Sequence, residues 1–233
     1  LKPWLSPQES SLERKTIYTF QSAIARKWRK ERIFIAGDAA HLMPPFMGQG
    51  MCAGIRDVSN LAWKISLCIK NKHDEKFLDT YQTERFSNAK EYIETTMRMG
   101  EFVNAIGSDK ITDNISSKPD GTKKMESIKP KLGLGLGNET DTNRGKIFPQ
   151  LKMKNGKTLD DKFSTLPLLL LSSELKKQKL KSKIPIITEK EVVGLSNVLK
   201  NYEAKAVIVR PDRFILKTCK TINDFNQIEH LPL

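Results

Sequence analysis

The sequence predicts a mixed α/β and α+β chain built in two parts, and three observations carry that prediction. A short apolar run, Arg32-Ile-Phe-Ile-Ala36, reads as a buried strand, and a helix follows it from Gly50 to about Ile69. Apolar residues then recur at helical spacing from about Lys76 to Val103. From Lys146 onward, short apolar runs alternate with helical patterns in the order β-α-β-α-β-β-α.

Taken in order, Thr16-Ile-Tyr-Thr-Phe-Gln-Ser-Ala-Ile24 is a β-prone run, and Trp28-Arg29-Lys30-Glu31 turns into the Arg32 strand. In the first helix, Ile55, Val58, Leu61, Ala62, Ile65 and Cys68 or Ile69 form the face expected to pack inward. Arg56, Lys64 and Lys70 lie off it. In the second helix Leu78, Tyr81, Phe86, Ala89, Ile93, Met97 and Val103 form the apolar side. Between residues 107 and 145 the periodicity fails. Lys118-Pro-Asp-Gly-Thr-Lys-Lys124 is turn chemistry. Leu132-Gly-Leu-Gly-Leu-Gly137 lacks the strand and helix that a phosphate loop needs on either side. This stretch reads as a linker or extended crossing segment. Beyond it the expected strands are 166–171, 184–188, 204–210 and 213–217, with helices at 173–181, 191–202 and 222–229.

Composition narrows the classes of function. The net charge of +13 comes from 40 Lys plus Arg against 27 Asp plus Glu, spread along the chain and not interleaved with aromatics, which reads as a solvated surface and not a nucleic-acid interface. No run approaches the roughly 20 apolar residues of a membrane span. Three cysteines and three histidines show no metal or redox spacing, so no metal site is expected, and a reduced cytoplasmic compartment is the default.

The chemistry gathers after the first strand. Asp38 puts a carboxylate at the strand's C-terminal edge, where it can accept hydrogen bonds from a sugar-alcohol chain or act as a turn residue. Pro44-Pro45 imposes extended backbone. Gly48-Gln49-Gly50 opens a helix with little side chain at its start, leaving backbone N–H groups and the positive end of the dipole for an anion or an electron-rich ring edge. His41 reads as a structural hydrogen-bonding group, and Asp57 and Asn60 as bracing for the loop.

The array Gly37-Asp38-Ala39-Ala40-His41, Pro44-Pro45, Gly48-Gln49-Gly50, Ile55-Arg56-Asp57 and Asn60-Leu61-Ala62-Trp63-Lys64 resembles the second FAD motif of the FAD-dependent aromatic hydroxylases. Within them it is most similar to the 3-(3-hydroxyphenyl)propionate hydroxylase branch. Tyr81-Gln82-Thr83-Glu84-Arg85 resembles that family's Tyr-x-x-Glu-Arg segment, and Val207-Ile-Val-Arg-Pro-Asp-Arg-Phe214 the strand and turn of its thioredoxin-like C-terminal domain. The resemblance implies a C-terminal portion of a Rossmann-type FAD-binding and substrate-binding domain over residues 1–106, a linker over 107–145 and a thioredoxin-like domain over 146–233. The family's Gly-x-Gly-x-x-Gly fingerprint is not in this sequence, which is expected to be the C-terminal part of a longer enzyme, inactive alone.

By resemblance, Gly37, Asp38, Pro45, Gly48, Gln49, Gly50, Met51 and Cys52 would bind FAD, with Asp38 on a ribityl hydroxyl. The N–H groups of 48–52 would face the flavin's pyrimidine edge, and Pro44 and Pro45 would flank its reaction centre. NADH or NADPH would reduce FAD, and the reduced flavin would capture O2 as a C4a-hydroperoxide and hydroxylate a phenolic aromatic acid. Another FAD oxidoreductase on the same fold, such as an epoxidase, and a non-catalytic assembly module are the alternatives. The C-terminal domain, lacking Cys-x-x-Cys, is expected to be structural or to mediate a homo-oligomer.

Overall fold

The computed structural model describes residues 6, 8, 10–70, 73–103, 128–163, 166–175, 184–221 and 224, and the backbone alone of 104–105, 116–117 and 123–124. The expected helices at 173–181 and 222–229 lie largely outside these residues.

The N-terminal half is held by two long helices. Of the β-prone run 16–24 only β1 (Ala23–Ile24) is strand, paired antiparallel with β4 (His41–Leu42). Ile17 and Tyr18 stand exposed. The expected buried strand 32–36 is corrected. Only β3 (Ile33–Phe34) forms, in a hairpin with β2 (Arg29–Lys30), and Ile33 is 70% exposed. Among the described residues no second strand flanks β3, so its apolar side chains have no sheet partners to bury them.

Helix α1 (Gly50–Ile69) has the expected bounds, but its inward face is not the apolar stripe. Ile55, Val58 and Ile69 are exposed, whereas Ala53, Asp57, Asn60 and Lys64 are buried together with Leu61 and Trp63. The reason lies on α2 (Thr80–Ala105), which follows a 3-10 turn at Glu75–Asp79 and presents Glu84 and Arg85 to that polar face, Asn88 in turn accepting from Arg85. Matched charges and amides make burying a polar stripe favourable where unmatched ones would forbid it. Beside them a hydrophobic cluster of Trp28, Tyr81, Leu61, Ala40 and Ala89 closes the apolar core, and the Tyr81 hydroxyl donates to Ile35 O at 3.0 Å.

The backbone at 116–117 and 123–124 forms a small antiparallel pair, β5 (Ser116–Ser117) and β6 (Lys123–Lys124). Residues 128–145, within the expected linker, pack against both halves. Gly133 N–H donates to Glu84 O at 2.8 Å, and Gly145 N–H to Ile215 O at 2.9 Å. A Cβ on Gly133 would stand 2.4 Å from Thr83 O, so only glycine lets this segment press on α2.

The C-terminal half is built on a four-stranded sheet of β7 (Leu168–Leu171), β8 (Ile186–Thr188), β9 (Ala206–Val209) and β10 (Ile215–Cys219), in the order β10-β9-β7-β8. Strands β7 and β8 are parallel; β9 is antiparallel to β7 and to β10. Both faces of the sheet are covered, which is why Leu168–Leu171 is an unbroken apolar run. One face packs Leu168, Leu170, Val207 and Val209 on Leu195 and Leu199 of α4 (Leu195–Asn201). The other packs Leu169, Leu171, Ala206, Ile208 and Leu216 against Leu175, Leu136 and Ile184. The short helix α3 (Leu159–Phe163) closes the first of these cores through Leu159.

Candidate FAD-binding site

Two backbone segments converge at the start of α1. The first is the turn after β3. Gly37 adopts φ +58°, which lets Gly37–Ala39 wind into a single 3-10 turn and leaves Asp38 exposed at its apex. This turn lies against the helix, where a Cβ on Gly54 would come 3.2 Å from the Gly37 Cα. No described residue donates a hydrogen bond to the Asp38 carboxylate, so its acceptor capacity faces outward.

The second segment is 44–52. Pro44 is buried and extended (φ −60°, ψ 155°), as its ring dictates. Pro45 corrects the expectation of continuous extended backbone, since it opens a 3-10 turn, Pro45–Met47, as its fixed φ allows at a first helical position. The Phe46 ring rests on Gly100 of α2, where a Cβ would come within 2.5 Å of it, and so holds the turn on the helix. Gly48, at φ +61°, ends the turn.

The open donors are fewer than the sequence suggests. Gly48 N–H is already spent on Pro45 O at 2.8 Å. The Gln49 side chain points along α1, its Oε1 accepting from Arg56 Nη2 at 3.1 Å, and does not cap the helix. The first intrahelical bond found there runs from Ala53 N–H to Gln49 O at 2.8 Å. The N–H groups of Gln49, Gly50, Met51 and Cys52 therefore have no acceptor among the described residues, as the first turn of any helix leaves its donors. No acidic side chain lies in that turn to neutralise the dipole, and space around Gly50 is open. The Met51 side chain is exposed and Cys52 is a half-buried free thiol, so both contribute backbone.

Beneath the turn sits a group the sequence placed only as bracing. The buried Asp57 carboxylate accepts from Gly37 N–H at 3.0 Å, from His41 Nε2 at 2.7 Å and from Arg85 Nε at 2.8 Å. Burial alone would raise its pKa, but the His41 hydrogen bond, the Arg85 charge and the Gly37 N–H outweigh burial and hold it below the usual carboxylate range. His41 thus has the structural role expected of it. Its Nε2 is committed to Asp57, and its buried Nδ1 meets no partner among the described residues.

The geometry fits a flavin nucleotide in two respects. An exposed carboxylate with free acceptor capacity suits a polyol chain, and open N–H groups on an unshielded helix start suit an electron-rich ring edge or an anion. Glycines at 37, 48, 50 and 54 keep both surfaces clear of side chains.

Comparison with known proteins agrees. Residues 6–96 match the family described as FAD binding domain. The chain is 38% identical over 151 residues to a probable NADH-specific resorcinol 4-hydroxylase of Rhodococcus jostii, which covers 63% of this chain and 28% of that protein. It is 43% identical over 95 residues to a 3-(3-hydroxy-phenyl)propionate/3-hydroxycinnamic acid hydroxylase of Escherichia coli, covering 41% of this chain and 17% of that protein. Among solved structures, aklavinone-11 hydroxylase in complex with FAD and aklavinone matches at TM-score 0.58 and 20% identity, over 91% of this chain and 44% of that one. The rebeccamycin biosynthetic enzyme RebC with reduced flavin matches at TM-score 0.57 and 18% identity, over 85% and 44%. These structural likenesses show a shared fold. The chain spans less than half the length of each of these relatives. Residues 6–96 are thus similar to the FAD binding domain family, and the relatives that resemble this chain include aromatic hydroxylases.

Proposed function

We propose that this chain forms part of an FAD-dependent, NADH- or NADPH-consuming monooxygenase that hydroxylates a phenolic aromatic acid such as 3-(3-hydroxyphenyl)propionate. The observation that carries the reading is the seating of the Asp38 turn against the open start of α1, through the contact of Gly37 with Gly54. In this reading the Asp38 carboxylate accepts from the ribityl chain. The N–H groups of Gly50, Met51 and Cys52, and the dipole behind them, stabilise negative charge at the edge of the ring. Asp57, Arg85 and His41 hold the Gly37 backbone so that this acceptor does not drift. Pro44 and Pro45 form a stiff wall beside the site and help keep water from it. Bound FAD would supply the electron transfer and oxygen activation that no protein side chain provides.

The strand order of the C-terminal half, with its first two strands parallel and the last two antiparallel, supports assigning 146–233 to a thioredoxin-like module. Its single cysteine, Cys219, is buried, and burial pushes the thiol up to about 12, so a structural role fits better than thiol exchange.

The test is made on the full-length gene product that contains this chain. Reduced nicotinamide should be consumed faster when 3-(3-hydroxyphenyl)propionate is present, and the product should carry one new ring hydroxyl with its oxygen from labelled O2. Hydroxylated product without the label would overturn the monooxygenase reading; label found only in products of non-aromatic substrates would overturn the phenolic one.

A further inference from the structure

A buried cluster of four charges joins the two halves of the molecule. Arg210, at the end of β9, sends Nη1 to Glu84 Oε1 and Nη2 to Glu84 Oε2, both at 2.8 Å. It also sends Nε to Asp212 Oδ1 at 3.0 Å and Nη2 to Asp212 Oδ2 at 2.7 Å. From α1, Lys64 Nζ donates to Glu84 Oε2 at 2.8 Å, and Asn60 Nδ2 donates to Glu84 Oε2 at 2.9 Å and Asp212 Oδ2 at 3.1 Å. Leu136 N–H adds a fifth donor to Glu84 at 2.9 Å, and the guanidinium lies 5.2 Å from the Trp63 ring centroid. Arg210, Glu84, Lys64 and Asn60 are all at most 1% exposed.

We propose that Arg210 is a positioning residue: through this cluster the C-terminal module sets the register of α1, and with it the helix start that faces the flavin. The flavin-facing role rests on the function proposed above; the register argument does not.

Apolar packing between two halves is non-directional and tolerates sliding. A guanidinium engaged on two carboxylates in fork geometry does not. Sliding α1 by one residue would shift it by about 1.5 Å and turn it by about 100°, taking Asn60 and Lys64 together away from Glu84. Arg210 is itself fixed by the tight β9–β10 turn, where its N–H donates to Phe214 O at 2.9 Å and its carbonyl accepts from Arg213 N–H at 3.0 Å. Asp57, which grips the Gly37 turn, lies on the same buried face of α1 one turn before Asn60. One rigid helix therefore carries both the Arg210 contact and the grip on the Asp38 turn. Buried ion pairs add little net stability over apolar replacements but can specify a single arrangement, which is the use proposed here.

The test is amide hydrogen exchange by mass spectrometry on the 233-residue chain without flavin, read on peptides covering 53–60. Arg210→Met is compared with Leu195→Ala, a core variant that makes none of the charged contacts, at denaturant concentrations that equalise global stability. Exchange in 53–60 should be about tenfold or more faster in Arg210→Met than in Leu195→Ala, with Arg210→Lys between them. If Arg210→Met does not fold, the variant Lys64→Met, Glu84→Met, Arg210→Met, Asp212→Asn removes the register contacts without leaving a lone buried charge, and the same acceleration is expected. Equal exchange at equal stability in whichever variant folds, or failure of both to fold, would overturn the positioning role in favour of plain structural cohesion. Because exchange is read without flavin, a chain that binds no FAD leaves this test standing.

Discussion

Removing the carboxylate of Asp57 should unfasten the candidate site from below. Asp57→Ala deletes the acceptor of three N–H donors, Gly37 N, His41 Nε2 and Arg85 Nε, and leaves the fully buried Arg85 guanidinium without its counter-ion. Breaking a buried pair in this way costs about 3–5 kcal/mol. For a chain of this size each kcal/mol shifts Tm by about 2–4 °C, so melting followed by circular dichroism at pH 7 should fall by roughly 6–20 °C. The effect has a pH signature. The folded-state pKa of Asp57 lies below its ordinary value of 3.8, so its stabilisation is present above that value and is lost as pH falls through the folded pKa. The gap between wild type and variant should therefore narrow below about pH 4. A drop of less than about 2 °C at pH 7, or a gap that does not change in acid, would refute the claim that this carboxylate is charged and holds Gly37 in place.

Asp38→Ala, in contrast, should leave melting unchanged and weaken FAD binding by about 10- to 150-fold in fluorescence titration of the full-length gene product, the loss of one charge-assisted hydrogen bond; unchanged affinity would make Asp38 a turn residue only. Gly133→Ala should destabilise the fold by about 1–3 kcal/mol in urea titration, because its Cβ would press on the Thr83 carbonyl; an unchanged midpoint would show that the 128–137 segment moves freely off α2. Burial pushes the Lys64 ammonium down to about 8 against the opposing pull of Glu84, so the unfolded chain holds that proton more tightly between about pH 8 and 10.5. Its contribution to stability should accordingly rise with pH across that window. Lys64→Met should flatten the rise, and equal slopes in both proteins would show that Lys64 does not titrate there.

Much of the framework could be read locally. The bounds of α1 follow from Gly48-Gln49-Gly50 at one end, and β7 and β9 from runs of apolar residues that only a sheet covered on both faces can bury. The placement of Asp38 in a turn and of open N–H groups at the helix start likewise follows from short-range rules, since glycine conformations and unpaired first-turn donors depend on neighbours in the chain. What the sequence could not decide was which side of α1 faces inward. Ile55 and Val58 have the spacing of a buried stripe, yet Asp57, Asn60 and Lys64 take that place, because Glu84 and Arg85 on α2 and Arg210 and Asp212 beyond β9 meet them. Those partners stand up to 152 residues away, and a charge reads as a surface residue until its counter-charge is located. Gly48 shows the same limit at short range: the motif offers its N–H to a flavin, but the Pro45–Met47 turn takes that N–H. Sequence by itself determined the local conformations that open the site; tertiary structure decided which charges lie beneath it, because burying a charge depends on a partner that only the fold brings within reach.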